Sequence, residues 1–79
     1  MIEKLRNYIK DNEFRLTLLK NKVHVINYSE ILSLDSKRIS IQANDNMYVI
    51  KGNNLILNRL LDNEVLIDGV ILSIEVFYD

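Results

Sequence analysis

The chain has 79 residues, of which ten are basic and eleven acidic, and its net charge at pH 7 is −1. A domain of this size removes only about 60–65% of its surface from water on folding, so its core must consist almost entirely of Leu, Ile and Val. The sequence supplies these residues, since 48% of it is hydrophobic and only 8% aromatic. The balanced charge argues against unaided nucleic-acid binding, which needs a basic face.

Cysteine and histidine usage removes several classes of site. The sequence has no Cys, which excludes a disulfide scaffold and a thiolate metal site. Its single histidine, His24, excludes a multi-histidine site and argues against His-based catalysis. There is no apolar run of about 18 residues, and Met1 opens a polar, mixed-charge stretch rather than a signal peptide. We therefore expect a cytoplasmic protein with no direct membrane insertion.

Residues 1–12 are predicted to form an N-terminal α-helix. Ile2, Leu5 and Ile9 recur at helical spacing and would form one apolar stripe. A helix of about ten residues is not stable alone in water, so the stripe must dock on the rest of the chain or on a partner. No Pro-rich or Gly-rich linker divides the sequence, and we therefore predict a single domain over 1–79.

The remainder, 14–79, is predicted to form a β-sheet domain, because its apolar residues alternate with polar ones. Short turns favour antiparallel neighbours, since a parallel crossover needs about a dozen residues. We therefore expect a mainly β fold, an antiparallel β-meander of roughly seven or eight short strands that is open, curled or stacked. The predicted strands are Arg15–Leu19, Lys22–Ile26, Ile31–Leu34, Arg38–Ala43, Met47–Lys51, Asn54–Asn58, Val65–Asp68 and Ile71–Tyr78.

Two glycine-containing segments are predicted to be structural turns. One contains Gly52, Asn53 and Asn54, and the other contains Asp68 and Gly69. Glycine and asparagine tolerate the positive φ that such turns require. A phosphate-binding loop is the alternative at Gly52, but one glycine without a following helix cannot cradle a phosphate.

The alternation leaves large apolar side chains on both faces of the predicted sheet. One set is assigned to an inner face: Ile39, Ile41, Val49, Leu55, Leu57, Val65, Ile67, Leu72, Ile74 and Val76. A second set points the other way: Ile26, Tyr48, Ile50, Ile56, Leu66, Ile71 and Phe77. Each such side chain left in water forgoes about 1.5–3 kcal/mol of burial. Strand ends and loops could bury some of these residues, or the helix, a curled sheet, a second copy or another protein could cover the second face. Its candidate interaction surface is Tyr48, Ile50, Ile71 and Phe77.

No combination of polar residues indicates a catalytic, metal-binding or cofactor-binding site. His24 lies between two valines on an alternating strand, where a surface position is expected. Asp62, Glu64 and Asp68 lack the glycine-centred spacing of an EF-hand. No pair of carboxylates shows the close, contrasting surroundings that acid–base catalysis requires. We therefore expect no catalytic residue, no metal and no cofactor.

A connected pattern along most of the chain carries a family resemblance. Its most characteristic part is Ile50–Leu57, with the form Ile-x-Gly-x-x-Leu, and a strand–Gly–strand segment follows over Val65–Val76. The segments before it are Leu16–Val25, Ile26–Leu32 and Ile39–Ile41. Over Arg15–Tyr78, about four-fifths of the chain, the sequence resembles the YabP/YqfC family of sporulation proteins from endospore-forming Firmicutes. Glu30 and Asn46 depart from the family pattern at turn positions, where glycine or a small residue is common.

The resemblance implies a non-enzymatic factor needed for spore formation, made in the mother cell and acting with a membrane-embedded sporulation protein. The family brings no catalytic residues. We therefore expect a small β-rich scaffold or adaptor that forms a homo-oligomer or docks on a protein partner. The alternative is a carrier of a small apolar ligand, whose curled sheet would enclose a cavity of at least about 300 Å³.

Overall fold

A computed structural model describes residues 13–78, which form one six-stranded antiparallel sheet. The strand order is β1-β2-β6-β5-β4-β3, and no helix occurs among these residues. The strands are β1 Arg15–Leu19, β2 Lys22–Ile26, β3 Glu30–Leu34, β4 Arg38–Ala43, β5 Asn46–Leu61 and β6 Glu64–Phe77. The mainly β, antiparallel prediction is confirmed, whereas the helix predicted over 1–12 lies outside the described residues.

The number of strands and their connection differ from the prediction. The four strands predicted after residue 46 are two long strands, because the glycine segments interrupt β5 and β6 without reversing them. The sheet is also not a simple meander. Strand β2 pairs with β6 rather than with β3, so the β1–β2 and β3–β4 hairpins lie on opposite flanks of the long β5–β6 hairpin.

Each flanking hairpin covers only part of the long hairpin. Strand β2 pairs with Glu64–Asp68, the first part of β6. Strand β4 pairs with Asn46–Lys51, the first part of β5. Because β5 and β6 are antiparallel, these two stretches lie at opposite ends of the β5–β6 ladder. The sheet therefore consists of two regions that share β5 and β6 and meet near the middle of both strands.

Irregular pairing marks the place where the two regions meet. The β5–β6 register shifts between Lys51 and Gly52 and again between Asn53 and Ile56. Such β-bulges bend a strand and increase its twist. A Cβ on Gly52 would overlap the carbonyl oxygen of Val70. Gly69 has a φ of 134°, and a Cβ there would lie 2.7 Å from the carbonyl oxygen of Asn54.

Two loops are attached to this bend by main-chain hydrogen bonds. The Gly52 amide donates to the carbonyl oxygen of Lys37 at 3.0 Å, and the Leu55 amide donates to that of Ser36 at 2.8 Å. The Gly69 amide donates to the carbonyl oxygen of Asn21 at 3.3 Å. The turns of both flanking hairpins are therefore attached to the bulged segments, which satisfies amide groups that the ladder leaves unpaired.

One hydrophobic core joins the two regions. It draws residues from β2, β4, β5 and β6, and Leu55 enters it from the bulged segment of β5. Its buried members are Val23, Val25, Ile39, Ile41, Ile50, Leu55, Val65 and Ile67. Phe14, Leu16, Tyr28, Ile31, Leu57, Ile71 and Ile74 pack against them and are partly buried. The burial of Leu55 explains why a bend, rather than a reversal, occupies this position.

The face assignment in β5 corrects the sequence-based one. Ile50 pairs with Ile39, so both side chains point into the core, and Val49 pairs with Ser40 on the opposite face. Val49 is nevertheless fully buried and Ser40 nearly so. The centre of the sheet is thus buried on both faces at this position, and Val49 and Ile50 have exchanged the faces that the sequence assigned to them. Leu72, assigned to the inner face, is 66% exposed.

Candidate interaction surface

The four residues of the predicted interaction surface do not lie on one surface. Ile50 is fully buried in the core. Tyr48 is partly buried on the same face, and its ring lies 4.6 Å from that of Phe14. Ile71 is partly buried against the core. Phe77 is 47% exposed, and because the preceding residue, Val76, faces the core side, Phe77 points to the opposite face. Of the four, Phe77 is the one whose side chain is largely accessible.

The predicted turn residues come together at the bend. Gly52 pairs with Ile71 and Asn53 with Val70, directly beside the bulge that contains Asn54. Asn54 has a φ of 54°, which is the conformation that the sequence predicted for a turn asparagine. The register shifts at these residues bend β5 and β6. The part of β6 after Gly69 extends beyond the end of β2 and therefore lies at the border of the sheet.

That segment, Val70–Phe77, has one side without a strand partner among residues 13–78. It pairs with β5 on its other side, whereas β2 reaches only as far along β6 as Asp68. We call Val70–Phe77 the β6 free edge. Val70, Leu72 and Phe77 on this edge are each about half exposed or more. A strand edge with unpaired main-chain groups and apolar side chains is a template for pairing with another strand.

A groove of about 440 Å³ runs beside the β6 free edge. The end of the β1–β2 hairpin forms one wall and the β6 free edge forms the other. Its lining residues are Leu18, Leu19, Asn21, Ile71, Leu72, Ser73 and Ile74. Five of these seven are leucine or isoleucine, so the groove presents apolar surface directly next to unpaired backbone. Its size lies within the range of small-molecule sites, but it opens to the surface rather than enclosing a cavity.

A second groove, of about 380 Å³, lies at the far end of the β6 free edge. Phe77 and Tyr78 contribute to it together with residues of β3, β4 and the β4–β5 turn. Its lining residues are Leu32, Gln42, Asp45, Asn46, Met47, Phe77 and Tyr78. Exposed apolar side chains therefore lie toward both ends of the β6 free edge, at Val70 and Leu72 and at Val76 and Phe77, and the exposed ring of Tyr78 follows directly.

The outer face of β2 and β6 carries paired charges instead. Lys22 forms an ion pair with Asp68, and Asn58 donates a hydrogen bond to the same carboxylate at 2.8 Å. His24 forms a hydrogen bond with Glu64 through its Nε2 atom. His24, for which the sequence predicted a surface position, is therefore partly buried and has a hydrogen-bond partner. The sequence could not show this pair, because β2 and the first part of β6 are 40 residues apart.

This polar face pairs its charges internally. Among the described residues, the side chain that forms a hydrogen bond with the His24 ring is the carboxylate of Glu64. Within residues 13–78, no three His, Asp or Glu side chains are grouped closely enough to hold a metal ion. In the same range, every buried side-chain nitrogen and oxygen has a hydrogen-bond partner.

No helix within residues 13–78 has the length and apolar character needed to cross a membrane. Comparison with models of known protein families, with curated proteins and with solved structures finds no match for the chain. The YabP/YqfC resemblance over Arg15–Tyr78 therefore remains a prediction. The β6 free edge and the adjoining groove are the geometric features from which a function can be inferred.

Proposed function

We propose that the chain is a non-enzymatic sporulation factor, a small β-rich scaffold or adaptor that binds other proteins in the cytoplasm of the mother cell. The observation that carries the binding role is the β6 free edge. Along Val70–Phe77, the main-chain groups that point away from β5 have no strand partner among the described residues, and the exposed side chains of Leu72 and Phe77 lie on the same segment. An added strand would gain main-chain hydrogen bonds from the edge and apolar contacts from the groove.

The sporulation role rests on the resemblance to the YabP/YqfC family. Its most characteristic segment, Ile50–Leu57, forms the bulged part of β5 that bends the sheet. In this proposal the segment has a structural role, because it directs β6 beyond the reach of β2. The resemblance further implies that one partner is a membrane-embedded sporulation protein, to which the chain docks from the cytoplasm.

Removal of the gene in the organism that encodes it tests the proposal. Heat-resistant spores are expected to be lost, and to be restored by the unaltered gene. Leu72→Lys should fail to restore them, because it places a charge on the β6 free edge at a side chain that is 66% exposed and that the core does not need. Leu34→Lys is the matched control, since Leu34 is 58% exposed and lies on the edge strand β3.

The two variants separate the parts of the proposal. A normal number of heat-resistant spores after deletion would contradict the sporulation role. Loss of spores that both variants restore equally well would contradict the β6 free edge as the working surface. Both lysine variants should unfold at the urea concentration of the unaltered protein, because neither side chain belongs to the buried core.

The groove favours one second candidate, a carrier of a small apolar ligand. Its volume of about 440 Å³ exceeds the minimum that this function requires. Titration with decanoate, followed by NMR, would support this function if resonances of Leu18 and Ile71 shifted together and saturated. Absence of saturation at millimolar decanoate would exclude medium-chain fatty acids as ligands of this groove.

A further inference from the structure

We propose that the β6 free edge pairs antiparallel with the β6 free edge of a second copy of this chain, about a two-fold axis at Ile74. This inference rests on the proposed binding role and names its partner. Pairing of the two edges joins the six-stranded sheets of both copies into one continuous sheet. It also closes the exposed edge, because the same segment of each copy covers the other.

The side chains of the edge favour an axis at Ile74 over one at Glu75. A continuous antiparallel sheet requires paired residues to point to the same face, so the axis must pass through a residue. An axis at Ile74 sets this side chain against its own copy and sets Ser73 against the other copy's Glu75. An axis at Glu75 would instead place two carboxylates directly opposite each other, which is destabilising. Ser73–Phe77 keeps a regular register with β5 and so presents a straight ladder.

The Ile74 register preserves the ion pair of each copy. Within one copy, Lys51 Nζ lies 3.2 Å from Glu75 Oε1, and Lys51 is paired with Ser73. Because Ser73 faces the other copy's Glu75, each lysine lies in the same cross-strand row as the other copy's carboxylate. Lys51 lies two strands away from the other copy's Glu75, so each carboxylate keeps the lysine of its own copy as its nearest cation. The serine hydroxyl can donate a hydrogen bond to the facing carboxylate.

The apolar side chains are also complementary. In this register Leu72, at the end of the regular ladder, lies opposite the other copy's Val76, and both are exposed apolar side chains. Ile71 and Leu72 line the groove of about 440 Å³, while Phe77 is 47% exposed. Phe77 follows Val76 directly, so the exposed aromatic ring of each copy lies beside the Leu72 end of the other copy's groove. One arrangement accounts for the unpaired backbone, the groove and the exposed ring together.

Single-cysteine variants of the full chain test the register, since the sequence contains no other thiol. Directly paired residues of antiparallel strands have Cα atoms about 4.5–5.5 Å apart, which suits a disulfide. Under mild oxidation Ile74→Cys should form a covalent dimer. An equimolar mixture of Leu72→Cys and Val76→Cys should give mainly the mixed dimer, as measured by mass spectrometry. Leu34→Cys, on the edge strand β3, is the control and should cross-link at least tenfold more slowly.

Sedimentation velocity of the proteins without cysteine tests the association itself. The unaltered chain should form dimers in the micromolar range, and Leu72→Lys should weaken them at least tenfold while Leu34→Lys leaves them unchanged. A monomer at all concentrations up to 1 mM would overturn the second-copy proposal. So would a dimer whose fastest cross-link forms through Leu34→Cys, because it would use β3. Mixed and homotypic dimers of Leu72→Cys and Val76→Cys in statistical proportion would also overturn the Ile74 register.

The outcome is distinguishable from failure of the proposed function. A monomeric chain whose Leu72→Lys variant still fails to restore spores would mean that the β6 free edge binds a different protein. The second-copy inference would then be wrong and the adaptor role would stand. A dimer that Leu72→Lys disrupts, without any effect on spore number, would support the pairing and contradict the sporulation role.

Discussion

Replacement of Gly52 by alanine should destabilise the fold more than any exposed substitution in the bend. The added Cβ would overlap the carbonyl oxygen of Val70 and lie 3.0 Å from the side chain of Leu55. The overlapping atom is backbone, so no side-chain rotation can relieve it, and β5 must move away from β6. Overpacking of this kind costs about 1–3 kcal/mol, and backbone contact favours the upper end.

A loss of about 3 kcal/mol is a large part of the stability expected here, which is about 4–12 kcal/mol for a chain of this length. It should lower the Tm by roughly 12–24 °C, since each kcal/mol shifts a domain of this size by about 4–8 °C. Thermal unfolding followed by far-ultraviolet circular dichroism measures the change. Asn53→Ala is the control, because Asn53 is exposed and adjacent and has no positive φ. A Tm for Gly52→Ala within about 2 °C of the unaltered protein would refute the close β5–β6 approach.

Two further substitutions test the core and the polar face. Ile41→Ala should lower the free energy of unfolding by about 2–5 kcal/mol, because Ile41 is fully buried; a loss below about 1 kcal/mol in urea titration would contradict its place in the core. Lys22→Ala should cost less than about 1 kcal/mol, since the Lys22 and Asp68 side chains are 48% and 31% exposed. A loss above about 2 kcal/mol would indicate that this ion pair has a larger structural role.

The local sequence pattern determines the short strands well. β1, β2 and β4 have the predicted bounds, and β3 begins one residue earlier, at Glu30. β1, β2 and β4 are short alternating runs bounded by turn residues such as Asn21, Asn44 and Asp45, which adopt positive φ. In these segments local backbone preference and tertiary pairing favour the same structure, so the residues alone are sufficient.

The long strands could not be derived in this way. A turn and a β-bulge both need a residue with positive φ or no side chain, so Gly52, Asn54 and Gly69 are compatible with either. Which one forms depends on partners distant in sequence. Leu55 is buried in the core and its amide bonds to the Ser36 carbonyl, which stabilises a bend rather than a reversal.

The faces of β5 depend on register in the same way. Val49 and Ile50 are both large and apolar, and the alternation alone does not say which one faces β4's inner residues. The pairing of Ile50 with Ile39 decides it, and a shift of one residue would reverse every side chain of the strand. The predicted surface therefore included one core residue, Ile50, together with the exposed Phe77.

The β6 free edge was not predictable because it arises from a mismatch of strand lengths. β6 spans 14 residues, whereas its neighbour β2 spans five and pairs with the first part of it. The merging of two predicted strands into β6 creates this mismatch. The apolar residues from Val70 to Phe77 are visible in the sequence, but their exposure follows from where β2 ends.

Residue-resolved amide hydrogen exchange at two protein concentrations tests most directly whether the β6 free edge pairs with a second copy. In dilute solution, along Ser73–Phe77, amides that bond to β5 should be protected and alternate with amides that exchange freely. At high concentration the freely exchanging amides should become protected, while those of the edge strand β3 should not change. Exchange along β6 that is identical at both concentrations would contradict the pairing of two copies through this edge.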